Sequence, residues 1–195
     1  MPSGRTHDQI TFWGLPLVAG LGLWLGQRWE LALLLSCAYL FSGLMFGPDL
    51  DIRSVQFKRW GMLRWLWLPY QKNLRHRSVL SHGFLIGTVI RLLYLGGILF
   101  LVAIVSVAIV QLFFDFSWNW RSFWVMAQAR WRQDYLAESI ALFAGLELGA
   151  MSHSISDWLG SALKRSQKRG IFSRLPQISG KKRQSKRKSP HPSRR

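Results

Sequence analysis

Long uncharged apolar runs separated by short polar junctions dominate this chain, a pattern that contradicts a water-soluble fold. Leu31 to Gly47 carries no charge, and neither does Leu92 to Phe114, which is long enough to cross a bilayer as a helix. Trp13 to Gly26 is uncharged but short, and becomes a span if its helix begins near His7. Ala137 to Leu163 is interrupted by Glu138, Glu147, His153 and Asp157. The pattern predicts an all-α, multi-pass helical membrane protein with four spans, near residues 9–27, 29–47, 80–114 and 137–163. The first two form a hairpin through Gln27-Arg28, and Gly22-x-x-x-Gly26 and Gly43-x-x-x-Gly47 would let helix backbones approach closely. The third segment is too long for one perpendicular span at about 1.5 Å per residue. Either its first turns project into water or Gly96-Gly97 bends it.

Charge changes this picture mainly at the C-terminus. The net charge is +17, but thirteen of the 26 basic residues lie between Lys164 and Arg195, where there is no acid. The expected organisation is one helical membrane domain over residues 1–165 and a disordered basic tail over 166–195, rich in Ser, Lys, Arg, Pro and Gly. Lys181-Lys182-Arg183 and Lys186-Arg187-Lys188 suit anionic lipid headgroups. A nucleic-acid partner would call for interleaved aromatics, and the tail has none beyond Phe172. Residues 48–79 add Arg53, Lys58, Arg59, Arg64, Lys72, Arg75 and Arg77. Basic residues stay inside, so the N-terminus, this loop and the tail are expected on the cytoplasmic side of the membrane. Trp118, Trp120, Trp124 and Trp131 are then expected at the opposite interface. Val55 to Leu68 mixes Lys58, Arg59 and Arg64 with Phe57, Trp60, Trp65 and Trp67, as an interfacial amphipathic segment does. The N-terminus lacks the features of a cleavable signal peptide, so the first apolar segment is read as retained. Cys37 is the only cysteine, which excludes an internal disulfide and a cysteine-rich zinc finger. It is expected as a small buried side chain.

The candidate chemistry lies at the junctions. The chain has only nine acidic residues and five histidines, yet three of each fall in Gly47-Pro48-Asp49-Leu50-Asp51, His76 to His82, and Ser152 to Asp157. His153 and Asp157 are four apart, on one helical face, and can chelate one ion. Asp49 and Asp51 follow a Gly-Pro; in an extended segment both would point the same way, or one would ligate while the other orients a histidine. His76 is placed on the loop and His82 in the first helical turns. Arg77 is a candidate anchor for an anionic substrate. With alternating spans, His7, Asp49, Asp51, His76, His82, His153 and Asp157 all fall on the same side of the membrane, as one shared metal site requires. Imidazole and carboxylate without thiolate suit zinc first, then iron, manganese or nickel. A divalent ion with Asp51 as base would perform hydrolysis. The alternatives are a structural metal in an assembly or scaffold protein, and a metal transporter.

Ser3 to Asp8, Phe41 to Asp51, His76 to Gly83 and Gly149 to Trp158 together resemble an uncharacterised bacterial family of metal-binding membrane proteins, over roughly residues 3 to 165. They are also distantly similar to inner-membrane metal-dependent hydrolases, which carry an N-terminal His, Pro-Asp-x-Asp-His, His-Arg-x-x-Thr-His-Ser and a late His-x-x-x-Asp. That resemblance implies ligand roles for His7, Asp49, Asp51, His76, His82, His153 and Asp157. Ile52 and Arg53 stand where the hydrolases have a histidine, and the interval from His76 to His82 is one residue longer.

Overall fold

The computed structural model describes residues 4–114 and 117–174, and every regular element among them is helical. In chain order these are α1 (Gly4–Gly26), α2 (Trp29–Leu44), a 3-10 turn (Pro48–Asp51), α3 (Val55–Arg59), a second 3-10 stretch (Gly61–Trp67), α4 (Leu68–Asn73), α5 (Val79–His82), α6 (Ile86–Phe113), α7 (Trp120–Asp134) and α8 (Leu136–Arg174). The chain divides into two units, Met1–Ser161 and Ala162–Arg195. The basic runs at 181–183 and 186–188 and His191 lie outside the described residues. Residues 166–174, assigned above to the disordered tail, instead continue α8 as helix. Their Ser, Gln, Lys and Arg are compatible with helix.

Among the described residues three helices, not four, are long and apolar enough to cross a membrane: Thr6–Gly26, Trp29–Asp51 and Ile86–Phe113. The fourth expected span falls within α8, whose Glu138, Glu147 and Asp157 lower its hydropathy. The most apolar 18-residue stretch of α6 has none of its residues buried by the protein (0%). Leu93, Leu99, Phe100, Leu101 and Leu112 all face outward.

The expected hairpin of α1 and α2 forms, with Gln27 in the left-handed region at φ 49° between them. Gly22 meets the Ala32 backbone of α2 as expected, its added Cβ lying 2.9 Å from the Ala32 Cα, and another close crossing uses a pair the sequence reading overlooked. A Cβ on Gly145 would run into the Leu35 carbonyl, and one on Gly149 into the Tyr39 carbonyl and Gly43 nitrogen, so α8 lies backbone to backbone on α2. Val18, Leu35, Tyr39 and Ala141 fill this junction.

Below it, Phe46, Leu50, Phe57, Trp67 and Tyr70 form a second core. Trp67 is fully buried, with the rings of Trp60, Phe46 and Tyr70 packed on it at 5.1, 5.7 and 5.5 Å. The interfacial reading of 55–68 therefore divides. Phe57 and Trp67 are core, while Met62, Leu63 and Trp65 stay exposed. Cys37 is exposed on α2, not buried, because Ala38 and Tyr39 take the inward positions beside it.

The third apolar segment is not one helix, and Gly96-Gly97 lie within the unbroken α6. The segment breaks between α5 and α6, where Leu85 adopts φ 58°, a region costly for a non-glycine residue.

Gly149→Ala should destabilise the fold by about 1–3 kcal/mol, because the backbone atoms it meets cannot rotate away. Gly96, whose Cβ would meet nothing, should accept alanine with a gain of up to about 1 kcal/mol. Thermal unfolding of the two purified variants checks both outcomes.

Candidate metal centre

The chain leaves α2 into a segment that three side chains fold back on the helix end. The carbonyls of Gly43, Leu44 and Met45 accept hydrogen bonds from Gln56, Arg59 and Trp60, each at 2.9 Å. Helix ends need such partners for their last carbonyls. Gln71 donates to the carbonyls of Leu50 and Ile52, both at 3.0 Å, and closes the other side. Held between them is the 3-10 turn, with Pro48 at its first position. This corrects the extended reading of Asp49 and Asp51. With three residues per turn, their side chains diverge by about 120°, so they face different partners.

Asp49 sits between two histidines. Its Oδ2 is 3.2 Å from His153 Nε2 and its Oδ1 is 3.7 Å from His82 Nε2. Asp51 turns to His76, whose Nδ1 lies 2.9 Å from its Oδ1. Its other oxygen is 3.7 Å from His82 Nδ1. From α1, His7 stacks on His153 with ring centroids 3.9 Å apart and places Nε2 3.3 Å from Asp157 Oδ1. Arg77 reaches the other Asp157 oxygen at 3.7 Å. All seven expected ligands and Arg77 are thus gathered in one region, from α1, the 3-10 turn, the 76–82 segment and α8. His76 and His82 converge, with centroids 5.2 Å apart, because Arg77 adopts φ 61° and turns the chain between them.

Several imidazoles are oriented by a partner behind them. Ser156 Oγ donates to the His153 carbonyl at 2.8 Å, so it accepts from His7 Nδ1–H at 2.7 Å, leaving the His7 Nε2 lone pair facing Asp157. Asp51 accepts from His76 Nδ1–H in the same way and frees His76 Nε2. His82 Nδ1 pairs with Ser81 Oγ at 2.8 Å. A hydrogen bond on one ring nitrogen that presents the other is the usual arrangement behind metal-bound histidine.

The donor set fits a cation on independent grounds. Asp49 Oδ1, Asp51 Oδ2, His82 Nε2, both nitrogens of His153 and both oxygens of Asp157 are buried without a hydrogen-bond partner. Buried polar atoms normally have one. Making both stacked rings imidazolium would set two positive charges face to face at 3.9 Å. A neutral His7, its Nδ1–H given to Ser156, instead turns the Nε2 lone pair toward Asp157. Ligand atoms bound tetrahedrally at about 2.0–2.1 Å lie about 3.3–3.4 Å from one another, close to the 3.2 and 3.3 Å separations observed.

A cavity of about 230 Å³ opens beside these donors, lined by His7, Asp49, His153 and Asp157 on one side and Gln56, Val55, Asp8 and Arg59 on the other. Asp8 accepts both hydrogen bonds of a bidentate pair with Arg59. These bonds raise the guanidinium pKa above its ordinary value, against a smaller effect of burial. Asp51 does not line the cavity. Its carboxylate is buried and committed to His76, which suits an orienting role better than the base role expected from sequence.

Residues 2–167 match the sequence model of the family described as "Uncharacterized metal-binding protein (DUF2227)". The chain belongs to this family. A protein of Aquifex aeolicus (strain VF5) described as "Uncharacterized protein" is 38% identical over 58 residues, 29% of this chain. The match spans 40% of that relative's length. No solved structure matches the chain. Membership in this metal-binding family agrees with the resemblance drawn from the four motifs. Its description speaks of neither a membrane nor hydrolysis.

Sequence reasoning missed the residues behind the site. Ser156 was legible in principle, three residues after His153 on the same helical face, but its partner His7 lies 149 positions away. Ser81 is fully buried, and its carbonyl accepts from Arg91, itself only 1% exposed and also bonded to Thr88 at 2.9 Å. Glu147, 6% exposed, accepts the Leu85 N–H at 2.9 Å at the break between α5 and α6, and lies in electrostatic reach of Arg91. It therefore holds the turn that follows His82.

Glu147→Ala orphans the Leu85 N–H and removes a carboxylate facing a buried guanidinium. It should cost at least about 1–3 kcal/mol, with Glu147→Gln milder because an amide oxygen still accepts. Thermal unfolding of the two variants beside wild type measures the difference.

Proposed function

We propose that the chain is a membrane-spanning, metal-dependent hydrolase whose His/Asp centre, at the cytoplasmic rim of the bilayer, acts on a phosphate ester or lipid-like substrate. The cavity carries this reading. It opens directly on four of the donor residues, whereas an ion that only fastens helices is enclosed by its ligands. The membrane part draws support from α6, whose apolar surface the protein itself leaves uncovered, and from the two other helices of sufficient length. The orientation rests on the basic residues of the 48–79 segment and the tail.

His7, Asp49, His153 and Asp157 would hold a divalent cation on the cavity side, zinc first by donor type. Such a cation supplies Lewis acidity, polarising a substrate oxygen and lowering the pKa of water. Asp49 and Asp157 place carboxylates on the cavity wall, able to accept a proton there. Arg77, half-exposed beside Asp157, offers a guanidinium to an anionic group at the rim. Arg59 presents a second guanidinium inside the cavity, with Asp8 holding it in place.

One observation favours a structural metal instead. The donors come from four separate segments, so a bound ion would tie them together whether or not it acts on a substrate. Elemental analysis and hydrolysis assays decide between the readings. Purified wild type should carry zinc or a related divalent metal, Asp49→Ala and His153→Ala should lose most of it, and Cys37→Ala should keep it. Wild type should also cleave a chromogenic phosphate ester or carboxyl ester, with activity lost in the first two variants. Retained metal in both would refute the site. Metal loss that unfolds the protein, in a wild type with no hydrolysis, would favour the structural ion.

A further inference from the structure

We propose that the centre is built for two cations bridged by Asp49, one among His7, His153 and Asp157 and the other among His76, His82 and Asp51. This rests on the reading that the family's metal is bound here. Two groups of donors can each converge on a point: His7, His153 and Asp157, and Asp49, His76 and His82, with ligand atoms within 4.8 Å of one another in each. The groups share no residue, yet Asp49 touches both. Its Oδ2 lies 3.2 Å from His153 in the first and its Oδ1 3.7 Å from His82 in the second. A carboxylate with one oxygen turned to each of two donor sets is placed as a bridging ligand.

Orphaned atoms occur on both sides of this bridge. In the first group they are the ring nitrogens of His153 and both oxygens of Asp157, on residues 4% and 6% exposed. In the second they are His82 Nε2, Asp49 Oδ1 and Asp51 Oδ2, the last on a residue 4% exposed. A single cation near His153 would leave the second set unsatisfied, and one near His82 would leave the first. One catalytic zinc commonly uses three protein ligands, and seven donor residues exceed that need.

Asp51 links the parts of the second set. One oxygen orients His76 and the other faces His82. The cavity borders the first group and Asp49 but neither His76 nor His82. The two cations are therefore inequivalent: the first faces the cavity, and the second lies behind Asp49, bracing the bridge. Paired ions of this kind, about 3.5–4 Å apart, are a recurrent arrangement for displacement at phosphorus or at an acyl carbon.

The test is Mn(II) titration of the metal-stripped full-length protein, followed by equilibrium metal content and electron paramagnetic resonance. Wild type should bind two equivalents per chain and give the broadened, exchange-coupled spectrum of a spin pair. His153→Ala and His82→Ala should each retain one equivalent and give the uncoupled six-line signal. One equivalent in wild type, with an uncoupled spectrum, overturns the two-cation centre but leaves the single-metal site standing. No binding by folded wild type overturns both. Stoichiometry and coupling in wild type decide the matter even if a variant fails to fold.

Discussion

Carboxylates and imidazoles crowded together, largely away from water, are the constraint around which this molecule is built. His7 Nε2 confronts Asp157, and His153 and His82 confront the two oxygens of Asp49. In an apolar interior an uncompensated carboxylate is costly, and a lone pair aimed at it adds to the cost. A cation between His7 Nε2 and Asp157 would turn that repulsion into attraction. An ion bound here would link folding to metal binding, because whatever free energy it gained from these donors would be free energy of the folded state.

The scaffold must hold these donors close together, and two devices do so. The first acts on the backbone. Gln56, Arg59 and Trp60 satisfy three successive carbonyls at the end of α2, and Gln71 satisfies two more beyond the turn, so the Pro48–Asp51 segment has little freedom. The second acts on the rings. Ser156, Ser81 and Asp51 each fix one histidine nitrogen, so the opposite nitrogen can point in only one direction. Behind these, Arg91 grips the Ser81 carbonyl and Glu147 grips Leu85. The polar interior is thus layered, each layer orienting the one nearer the donors.

How much of this was visible in the sequence depends on the range of the interaction. The pair His153 and Asp157 was legible because helical geometry alone puts residues four apart on one face. The placement of Asp49 after Gly47-Pro48 was legible because proline ends a helix. Their divergence from Asp51 was not, because a 3-10 turn and an extended exit are both compatible with Gly-Pro-Asp-Leu-Asp. His76 and His82, six apart, converge through the left-handed Arg77, and the chain breaks again after His82 at the left-handed Leu85, neither of them glycine. Local propensity gives no warning of such positions; tertiary contacts such as the Glu147 carboxylate impose them. The same limit explains why the crossing of α2 by α8 at Gly145 and Gly149 was not foreseen, although that of α1 and α2 at Gly22 was. A small-residue spacing shows where backbones can meet, not which helix arrives. Trp67 was read as an interfacial ring for a similar reason: its burial comes from Phe46, Trp60 and Tyr70, partners on other elements.

The arrangement of buried ionisable groups also bears on the choice among functions. A transporter needs its cargo to pass from one side to the other, and so a succession of polar stations along the route. Beyond the donors themselves, Arg91 and Glu147 are the buried charges on α6 and α8 among the described residues. Both are engaged inward: Arg91 with the Ser81 carbonyl and Thr88, Glu147 with the Leu85 N–H. Groups tied to backbone atoms at a helix break stabilise that break and are poorly placed to hand an ion onward. The cavity, by contrast, meets the donors from the side of Gly4, Val55 and Arg59. An entrance on that side, with structural charges behind the donors, accords with the proposed hydrolase, whose substrate would enter and leave by the same door.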